Sequence, residues 1–423
     1  MSFAKELECT NCRASFPLGK MFEGCPKCRN DKLIANVTVT YEYERIKDIL
    51  NREALGKREP SVWKYRELLP VEKDQSIVSL REGGTPLVKC KRFSREMGLK
   101  NLYVKDESRN PTWSFKDRYC SVAISKGLEF GVRTVTVSSS GNHGAATAAY
   151  ASRAGLDCVI FTMGFTPATF LTLMQSYGAK VVPVSTAEGR WKLMERCVKE
   201  FNWYPTGSYT LPMPTGNPYG VEGYKTIGYE ICEQLGWEAP SKIFVPFGGG
   251  DGLYGTWKGI IELRSLGIST GEPTMIAVEP SAGGPLDNAL RKKLNYVEKV
   301  QVKPTVAFSI GSSIATFQAL KAVRASGGAS ITVTDEEIMK AQLELAALEG
   351  LYVEPSSAAS IAGARKMREY GQLDSDERIV CVVTSGGLKD PEATRKILPQ
   401  LDTIDPEWNA LLEFLRKAYD FKP

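Results

Sequence analysis

Histidine is almost absent from this 423-residue chain, which contains only His143. A Ser-His-Asp triad is therefore possible only around that one residue. A catalytic metal site built from several histidines is excluded. Whatever moves protons in this protein must rely mainly on lysine, tyrosine, serine or carboxylate side chains.

The sequence also lacks long apolar runs and a strong excess of charge of one sign. Its first residues, MSFAKELECT, have no apolar core of a signal peptide, and no stretch approaches the apolar length of a membrane helix. The net charge of +5 is spread over the whole chain, without a dominant basic run. We therefore expect a cytoplasmic globular protein with no membrane and no nucleic-acid partner, long enough for two or three domains.

Four of the ten cysteines form two CxxC pairs, Cys9 with Cys12 and Cys25 with Cys28. Cytoplasmic cysteines are mostly reduced, so this clustering indicates a metal and not disulfides. Thiolates on two such turns reach one tetrahedral zinc ion and close its coordination, so the site would be structural. The alternative is a set of unrelated buried cysteines. The segment to about residue 40 is too short to hold a core unaided, which favours the metal.

From about residue 100, short β-branched runs alternate with helical sequence. Examples are TVTVSSS (134–140), KIFVPFGGG (242–250) and RIVCVVTSGG (378–387). Repeated βα units of this kind build a mainly parallel sheet that is covered on both faces, so we predict a doubly wound α/β fold. The Gly- and Pro-rich segment GSYTLPMPTGNPYG (207–220) is the best candidate for a crossing between subdomains or an active-site loop.

Three of these strands run into small, polar or glycine-rich turns: SSSGNH (138–143), FGGGDG (247–252) and TSGGLKD (384–390). Ligands of open α/β sheets bind beyond the carboxyl ends of strands, so the turns predict a shared crevice. Glycines ahead of a helix let backbone N–H groups converge, which suits a phosphate monoester, although a plain tight turn is the alternative. We expect the carboxylate of Asp251 to point away from such a phosphate.

The segment NPTWSFKDR (110–118) places Lys116 near a helix start, with Thr112 or Ser114 as a potential cap. One interpretation is that Lys116 is a solvated amine. The other is that it joins the aldehyde of pyridoxal phosphate as a Schiff base, with the glycine turn holding the cofactor phosphate. Deprotonating this amine requires desolvation or nearby positive charge, and the adjacent Arg118 could contribute the charge.

Four segments resemble, in order, the signature segments of fold-type II pyridoxal-phosphate enzymes: NPTWSFKDR, SSSGNHGAATAAYASRAGL, VPFGGGDGLYGTWKG and VVTSGGLKDP. Among these enzymes the chain is most similar to threonine synthases, with cysteate synthases and threonine dehydratases nearby. SLREGGTPLVKC (79–90) and NPYGVEGYKTIGYEI (217–231) extend the match. The resemblance implies a tryptophan synthase beta-like fold and a homodimer. It implies a zinc-ribbon-like segment at 1–40, a large cofactor-binding domain at 41–119 and 216–423, and a small inserted αβ domain at 120–215.

The resemblance also implies roles for individual residues. Lys116 would be the Schiff-base lysine, Asn142 would bind the cofactor's phenolic oxygen, and Thr384 would bind its pyridine nitrogen, with Ser385 as the alternative. The cofactor phosphate would be held by Gly248, Gly249, Gly250 and Gly252. The substrate would be bound by Thr85, Ser139, Ser140, Gly141 and His143. A neutral hydroxyl at the pyridine nitrogen suits elimination or replacement at the β or γ carbon and disfavours transamination.

The chain departs from the threonine synthase pattern at a few positions. Trp113 replaces the glycine of NPTGSFKDR, which predicts either an indole beside the site or core packing. Gly220 stands where an arginine is common, Tyr224 where a glutamine is common, and Gly386 or Gly387 near the histidine of TGHGLKD. The family's arginine helps to bind the substrate's phosphate, and a guanidinium fork is hard to replace for that purpose.

We therefore expect a pyridoxal-phosphate-dependent lyase that acts on an amino-acid substrate, phosphorylated or not. Threonine synthase, which makes threonine and phosphate from O-phosphohomoserine, is the best single match. A β-replacement enzyme or dehydratase acting on O-phosphoserine or on a serine- or threonine-like substrate is the second interpretation. The third, from a different class, is a non-catalytic zinc-ribbon interaction protein that retains the fold as a scaffold.

Overall fold

The computed structural model of the chain describes residues 1–210 and 215–422. The predicted crossing segment 207–220 therefore lies partly outside the described residues, at 211–214. The strands are β1 (Ala4–Cys9), β2 (Ser15–Phe16), β3 (Val37–Tyr41), β4 (Leu87–Lys89), β5 (Asn101–Asp106), β6 (Thr134–Ser138), β7 (Asp157–Met163), β8 (Lys180–Val184), β9 (Tyr204–Pro205), β10 (Lys242–Pro246), β11 (Thr274–Pro280), β12 (Ala329–Val333) and β13 (Arg378–Val383).

The helices alternate with most of these strands. They are α1 (Tyr43–Lys47), α2 (Arg52–Gly56), α3 (Arg92–Glu96), α4 (Lys116–Glu129), α5 (Asn142–Ala154), α6 (Ala168–Ser176), α7 (Ala187–Phe201), α8 (Pro218–Gln234), α9 (Asp251–Ser265), α10 (Pro285–Arg291), α11 (Phe317–Ala325), α12 (Asp335–Glu349), α13 (Pro355–Glu369), α14 (Pro391–Arg395) and α15 (Trp408–Tyr419). None of the described helices is both long and apolar enough to cross a lipid bilayer.

The larger sheet has six strands in the order β12-β11-β10-β13-β5-β4, and only the edge strand β4 runs antiparallel to its neighbour. Its central strands are almost continuously apolar, because both faces of a parallel sheet are covered by helices. Along β10, Ile243 and Val245 face one apolar core and Phe244 faces the other. The predicted α/β sheet with two covered faces is therefore confirmed.

The smaller sheet has four parallel strands in the order β8-β7-β6-β9, all between residues 134 and 205. The strands of the larger sheet lie before and after this interval. Helix α5, rich in alanine, packs between this sheet and α4. The two sheets thus use separate intervals of the chain. The domain boundaries at 41–119, 120–215 and 216–423 stay a prediction.

The N-terminal segment forms a third, antiparallel sheet in the order β2-β1-β3. Its apolar side chains belong to the same core as those of α8 and α9. Buried polar contacts reinforce this attachment: Tyr41 donates to Glu222 at 2.8 Å, and the amine of Lys258 donates to the Val39 carbonyl at 2.6 Å and to Glu222 at 2.6 Å. The segment thus shares the core of the chain and does not build one of its own.

The start of helix α8 carries two sequence signals of a helix N-terminus, a capping asparagine and a proline in the first turn. The side chain of Asn217 accepts hydrogen bonds from the N–H groups of Tyr219 and Gly220, at 3.0 and 3.2 Å, and Pro218 occupies the first helical turn. Gly220 lies in this first turn, directly against α4. A Cβ at Gly220 would lie 2.5 Å from ring atoms of Tyr119, so the buried Tyr119 ring fills the space beside this glycine.

Candidate active site

A cavity of about 790 Å³ lies where strands of the two larger sheets end. The turns after β6, β10 and β13 all line it, as their positions at strand ends predicted. Lys116 lines it too, at the first residue of α4. The segment 302–305, the segment 308–312 and the first turn of α7 complete its wall.

The amine of Lys116 lies over two aromatic rings. Its nitrogen is 4.8 Å from the centroid of Phe115 and 5.5 Å from that of Tyr224, and the two rings stack on each other at 4.9 Å. Burial lowers the pKa of Lys116, against the negative charges of Asp251 and Glu354, which raise it. Burial thus shifts the amine toward its neutral, nucleophilic form at the wall of a cavity, which does not fit the interpretation of a solvated lysine.

Arg118 does not activate Lys116, contrary to our expectation. Its guanidinium is completely buried and donates to Glu107 at 2.6 and 2.8 Å and to Glu230 at 2.6 and 2.7 Å. Two carboxylates therefore compensate its charge. Burial, and not a neighbouring cation, lowers the pKa of Lys116.

The side chain of Asp117, the residue after Lys116, holds the segment that precedes Lys116. The backbone N–H and the hydroxyl of Thr112 donate to the carboxylate of Asp117 at 2.6 and 2.5 Å. The residue that precedes α4 is Phe115, without a side-chain cap, so neither Thr112 nor Ser114 has the predicted capping role. Burial raises the pKa of Asp117 to about 7.

Trp113 has a left-handed backbone with φ of 59°. Glycine adopts this conformation at little cost, which explains why glycine is common at this position of the resembling family. The indole is 49% exposed and does not line the cavity, so both predictions, an indole beside the site and core packing, are wrong. The substitution therefore leaves the cavity wall unchanged.

Asn142, the first residue of α5, is held by two partners. Its amide nitrogen donates to both carboxylate oxygens of Glu354 at 3.1 Å, and its amide oxygen accepts from the Ser385 hydroxyl at 3.2 Å. Burial raises the pKa of Glu354 to about 7. Thr384 lines the cavity, and its hydroxyl lies 3.0 Å from that of Ser357. Ser385 is completely buried behind the wall and does not line the cavity.

The glycine turn after β10 has the shape of an anion cradle. Gly250 has φ of 95°, and a Cβ there would lie 2.4 Å from that of Ala319. A Cβ at Gly252 would lie 2.7 Å from the Phe115 ring, whereas at Gly249 no described atom comes within 4 Å. Side chains are thus excluded on the protein side and space is open on the other, at the N-terminus of α9. Backbone N–H groups and the helix dipole suit a phosphate in that position.

Asp251 follows the cradle and lines the cavity. Its carboxylate accepts a hydrogen bond at 2.8 Å from the amide of Gln318 on α11. Burial raises the pKa of Asp251, with the positive charge of Lys116 acting in the opposite direction. One oxygen of the carboxylate is thus engaged toward α11, and its turning away from an anion in the cradle stays a prediction.

The predicted substrate residues of the turn after β6 all line the cavity: Ser139, Ser140, Gly141 and His143. The hydroxyl of Ser139 accepts from the N–H of Gly141 at 3.3 Å and from that of Gly144 at 3.1 Å. His143 is neutral, because burial holds its pKa well below the ordinary value. Its Nε2 has no hydrogen-bond partner within the described part of the chain.

Thr85 is the predicted substrate residue that the structure does not bring to the cavity. Its side chain is buried, its hydroxyl donates to Glu107 at 2.6 Å, and it accepts from Arg118 at 3.0 Å. Lys105, also fully buried, donates to Glu230 at 2.6 Å in the same cluster. Thr85 therefore takes part in a buried polar network beneath α4, away from the cavity wall.

Glu354 and Arg190 are two polar cavity residues that the sequence did not predict. Glu354 lies directly before α13, whose first residue is Pro355. A proline at this position is common at helix starts and does not indicate ligand binding. Arg190 lies in α7 of the smaller sheet, and its guanidinium donates to Ser140 at 2.8 Å. Its helix is amphipathic and otherwise ordinary, so no pattern distinguishes this arginine among the 54 lysines and arginines of the chain.

The four predicted metal ligands lie together in the N-terminal segment, and none of them lines the cavity. Their sulfur atoms are all within 4.8 Å of one another, with 3.5 Å from Cys9 to Cys28 and 3.8 Å from Cys12 to Cys25. A tetrahedral ion with zinc–sulfur bonds of about 2.3 Å separates its ligands by about 3.8 Å. The cluster is therefore able to bind one metal ion.

Known proteins support this description of the site. The family described as pyridoxal-phosphate dependent enzyme matches residues 78–385. A threonine synthase of Methanocaldococcus jannaschii is 39% identical over 411 residues, which cover 94% of this chain and 100% of the relative. A threonine synthase of Methanosarcina acetivorans is 37% identical over 96% of this chain and 98% of its own length, and one of Mycobacterium tuberculosis is 35% identical over 84% and 95%.

Solved structures support the fold. The processed form of threonine deaminase isoform 2 from Solanum lycopersicum superposes with a TM-score of 0.63 at 21% identity, covering 74% of this chain and 88% of that one. Maize serine racemase gives a TM-score of 0.62 at 22% identity, covering 74% and 91%. The resemblance stated from the sequence is thus confirmed, and this chain belongs to the family of pyridoxal-phosphate-dependent enzymes.

Proposed function

We propose that the protein is a threonine synthase, a lyase that converts O-phosphohomoserine into threonine and phosphate. The observation that carries the proposal is the amine of Lys116, whose pKa burial lowers, in one cavity with a glycine cradle and Asn142. Relatives named threonine synthase, 35–39% identical over most of the chain, support the choice of reaction.

The cavity residues fit pyridoxal phosphate. Lys116 would hold its aldehyde carbon, Asn142 its phenolic oxygen and Thr384 its pyridine nitrogen, because Thr384 lines the cavity and Ser385 does not. The glycines 248, 249, 250 and 252 would hold the phosphate. When bound, the cofactor supplies an electron sink for negative charge on the substrate's α carbon.

The chain's own residues bind the substrate and move protons. The turn of Ser139, Ser140 and Gly141 would bind the α-carboxylate through its N–H groups. The amine of Lys116, whose pKa burial lowers, would accept the α proton at Nζ and return it later. Neutral His143 adds no positive charge beside this amine.

A second candidate is a β-replacement enzyme or dehydratase, and Gly220 favours it. The Tyr119 ring fills the space that an arginine would occupy at this position. Supplying the holoenzyme separately with O-phosphohomoserine, O-phosphoserine and threonine decides between the two. If the protein is a threonine synthase, O-phosphohomoserine should yield threonine and phosphate in equal amounts. Product from O-phosphoserine or threonine alone would replace it with the second candidate, and a colourless protein that takes up no cofactor would favour a scaffold.

We also propose that the four clustered cysteines bind a structural zinc ion. The N–H groups of Asn11 and Cys12 donate to the Cys9 sulfur at 3.3 and 3.4 Å, which stabilises a thiolate ligand. Native mass spectrometry should find one zinc per chain. Cys12→Ser together with Cys9→Ser should remove it and lower the melting temperature. Retained zinc in that variant would contradict the assignment.

We further propose a cytoplasmic homodimer. Support comes from the resemblance to threonine synthases and from the apolar side chains that the surface exposes near the C-terminus, such as Leu401 at 60% and Trp408 at 70%. Light scattering of the holoenzyme tests the assembly: a mass of twice 46.6 kDa is expected. A mass of one chain at micromolar concentration would contradict it.

A further inference from the structure

Arg190 brings an uncompensated positive charge to the cavity wall. One terminal nitrogen of its guanidinium donates to the Ser140 hydroxyl at 2.8 Å, and its Nε is buried without a hydrogen-bond partner among the described residues. Burial alone shifts its pKa, and it does so downward, because no carboxylate of the described chain offsets it. The guanidinium nevertheless stays protonated at any physiological pH.

Two other arginines of this protein show how such a charge is compensated by carboxylates. Arg196, on the same helix, donates to Glu200 at 2.7 Å, and Arg118 has two buried carboxylates. A buried charge without a counter-charge is unfavourable unless a ligand supplies one. The isolated charge of Arg190 at a cavity that binds a small molecule therefore indicates an anionic ligand.

The surroundings of Arg190 strengthen this conclusion. The Ser140 oxygen also accepts from the N–H of Met163 at 3.2 Å, and the hydroxyl oxygen of Thr162 lies 3.2 Å from it. The two N–H donors, from Arg190 and Met163, occupy both acceptor lone pairs of the Ser140 oxygen, so its hydroxyl proton is the group that Ser140 offers to a ligand. Lys303, from the segment between α10 and α11, lines the same cavity. Two cations and a hydroxyl donor suit a dianion with several acceptor oxygens.

We propose that Arg190, together with Ser140, binds the phosphate group of the substrate, so that the enzyme selects phosphorylated amino acids through the smaller sheet. This inference rests on the proposed function and names the residue that confers its substrate class. It also accounts for Gly220: the contact with Tyr119 closes the α8 side of the cavity to an arginine, and α7 provides one in its place.

The test compares two ligands on the holoenzyme by titration calorimetry, namely inorganic phosphate and L-threonine. Arg190→Gln should weaken phosphate binding about 10- to 100-fold, the strength of a charge-assisted hydrogen bond, and leave threonine binding within about twofold. Arg190→Lys should recover part of the phosphate affinity. Arg196→Gln, on the exposed side of the same helix, is the matched control and should change neither.

Steady-state kinetics gives an independent readout. With O-phosphohomoserine, Arg190→Gln should raise KM by a similar factor and change kcat less. Unchanged phosphate binding in Arg190→Gln would overturn the inference. So would an equal loss for both ligands that lysine does not restore, since that result would mean that Arg190 only positions Ser140. If the wild type binds phosphate through Arg190 but makes no threonine from O-phosphohomoserine, the proposed function fails and this inference stands.

Discussion

Glu354→Gln tests the most unusual electrostatic feature of the cavity. The carboxylate of Glu354 is buried, accepts two hydrogen bonds from Asn142 and has its pKa raised by burial from 4.5 to about 7, although the positive charge of Lys389 lowers it in part. The folded-state pKa of Glu354 lies above the unfolded one, so the folded protein is favoured when this carboxyl is protonated. This stabilisation by protonated Glu354 is complete below pH 4.5. It is lost as the pH rises through 7.

The magnitude follows from the two pKa values. One pKa unit corresponds to about 1.36 kcal/mol, so charging Glu354 costs about 1 kcal/mol of stability at pH 5 and about 3 kcal/mol at pH 8. Glutamine carries no charge and escapes this loss. Relative to the wild type, Glu354→Gln should therefore gain about 2.5 kcal/mol in free energy of unfolding from pH 5 to 8. The lost hydrogen bond to Asn142 adds an offset that does not vary with pH.

Urea unfolding of both holoenzymes at pH 5, 6, 7 and 8 measures this difference. The control is Glu369→Gln, which removes an exposed carboxylate from the other end of α13 and takes no buried charge away. Its difference from the wild type should not follow the same curve. A gap between Glu354→Gln and the wild type that is constant from pH 5 to 8 would refute the reasoning.

Two further substitutions test the packing and the charges beneath the site. Gly220→Ala places a methyl group at the 2.5 Å contact described above and should cost about 1–3 kcal/mol in urea unfolding. Gly56→Ala, at the end of α2 with no described atom within 4 Å, should cost nothing, and equal stabilities would contradict the steric argument. Glu230→Gln leaves the buried charge of Arg118 short of a carboxylate and should cost about 3–5 kcal/mol. Glu238→Gln at the surface is its control, and equally small losses would show that the charge is solvated.

The features that the sequence predicted are those with a local cause. The turns after β10 and β13 meet because neighbouring parallel strands of the larger sheet end at the same edge. The turn after β6, at the end of a strand of the smaller sheet, lines the same cavity. The cysteine pairs meet because each CxxC turn is built within a few residues and β1 and β3 are neighbours. Lys116 was selected by the motif around it, and its position at the cavity wall follows from the start of α4.

The errors concern residues whose environment depends on distant parts of the chain. The partners of Arg118 include Glu230, 112 residues further along the chain, and adjacency to Lys116 gave no warning of them. Thr85 follows the same network, because its hydroxyl contacts Glu107 and Arg118. Trp113 was predicted either beside the site or in the core, but it has a left-handed backbone and its indole is exposed at the surface.

Glu354 and Arg190 were missed for the same reason, because their contacts are distant in the sequence. Glu354 reaches Asn142 across 212 positions, and Arg190 reaches Ser140 across 50. Neither contact has a periodicity or a spacing that a single sequence reveals. Their roles become visible only when burial and the absence of a counter-charge in the described chain are known. The electrostatics of this site is thus a property of the tertiary structure.

Attachment of the cofactor to Lys116 is the central claim, and one measurement tests it directly. The holoenzyme is treated with borohydride, digested and analysed by peptide mass spectrometry. The account predicts that the pyridoxyl phosphate mass is found on Lys116 and that the yellow absorbance is lost. In Lys116→Ala no peptide should carry the label. A label on another lysine of the wild type, or none at all, would contradict the account.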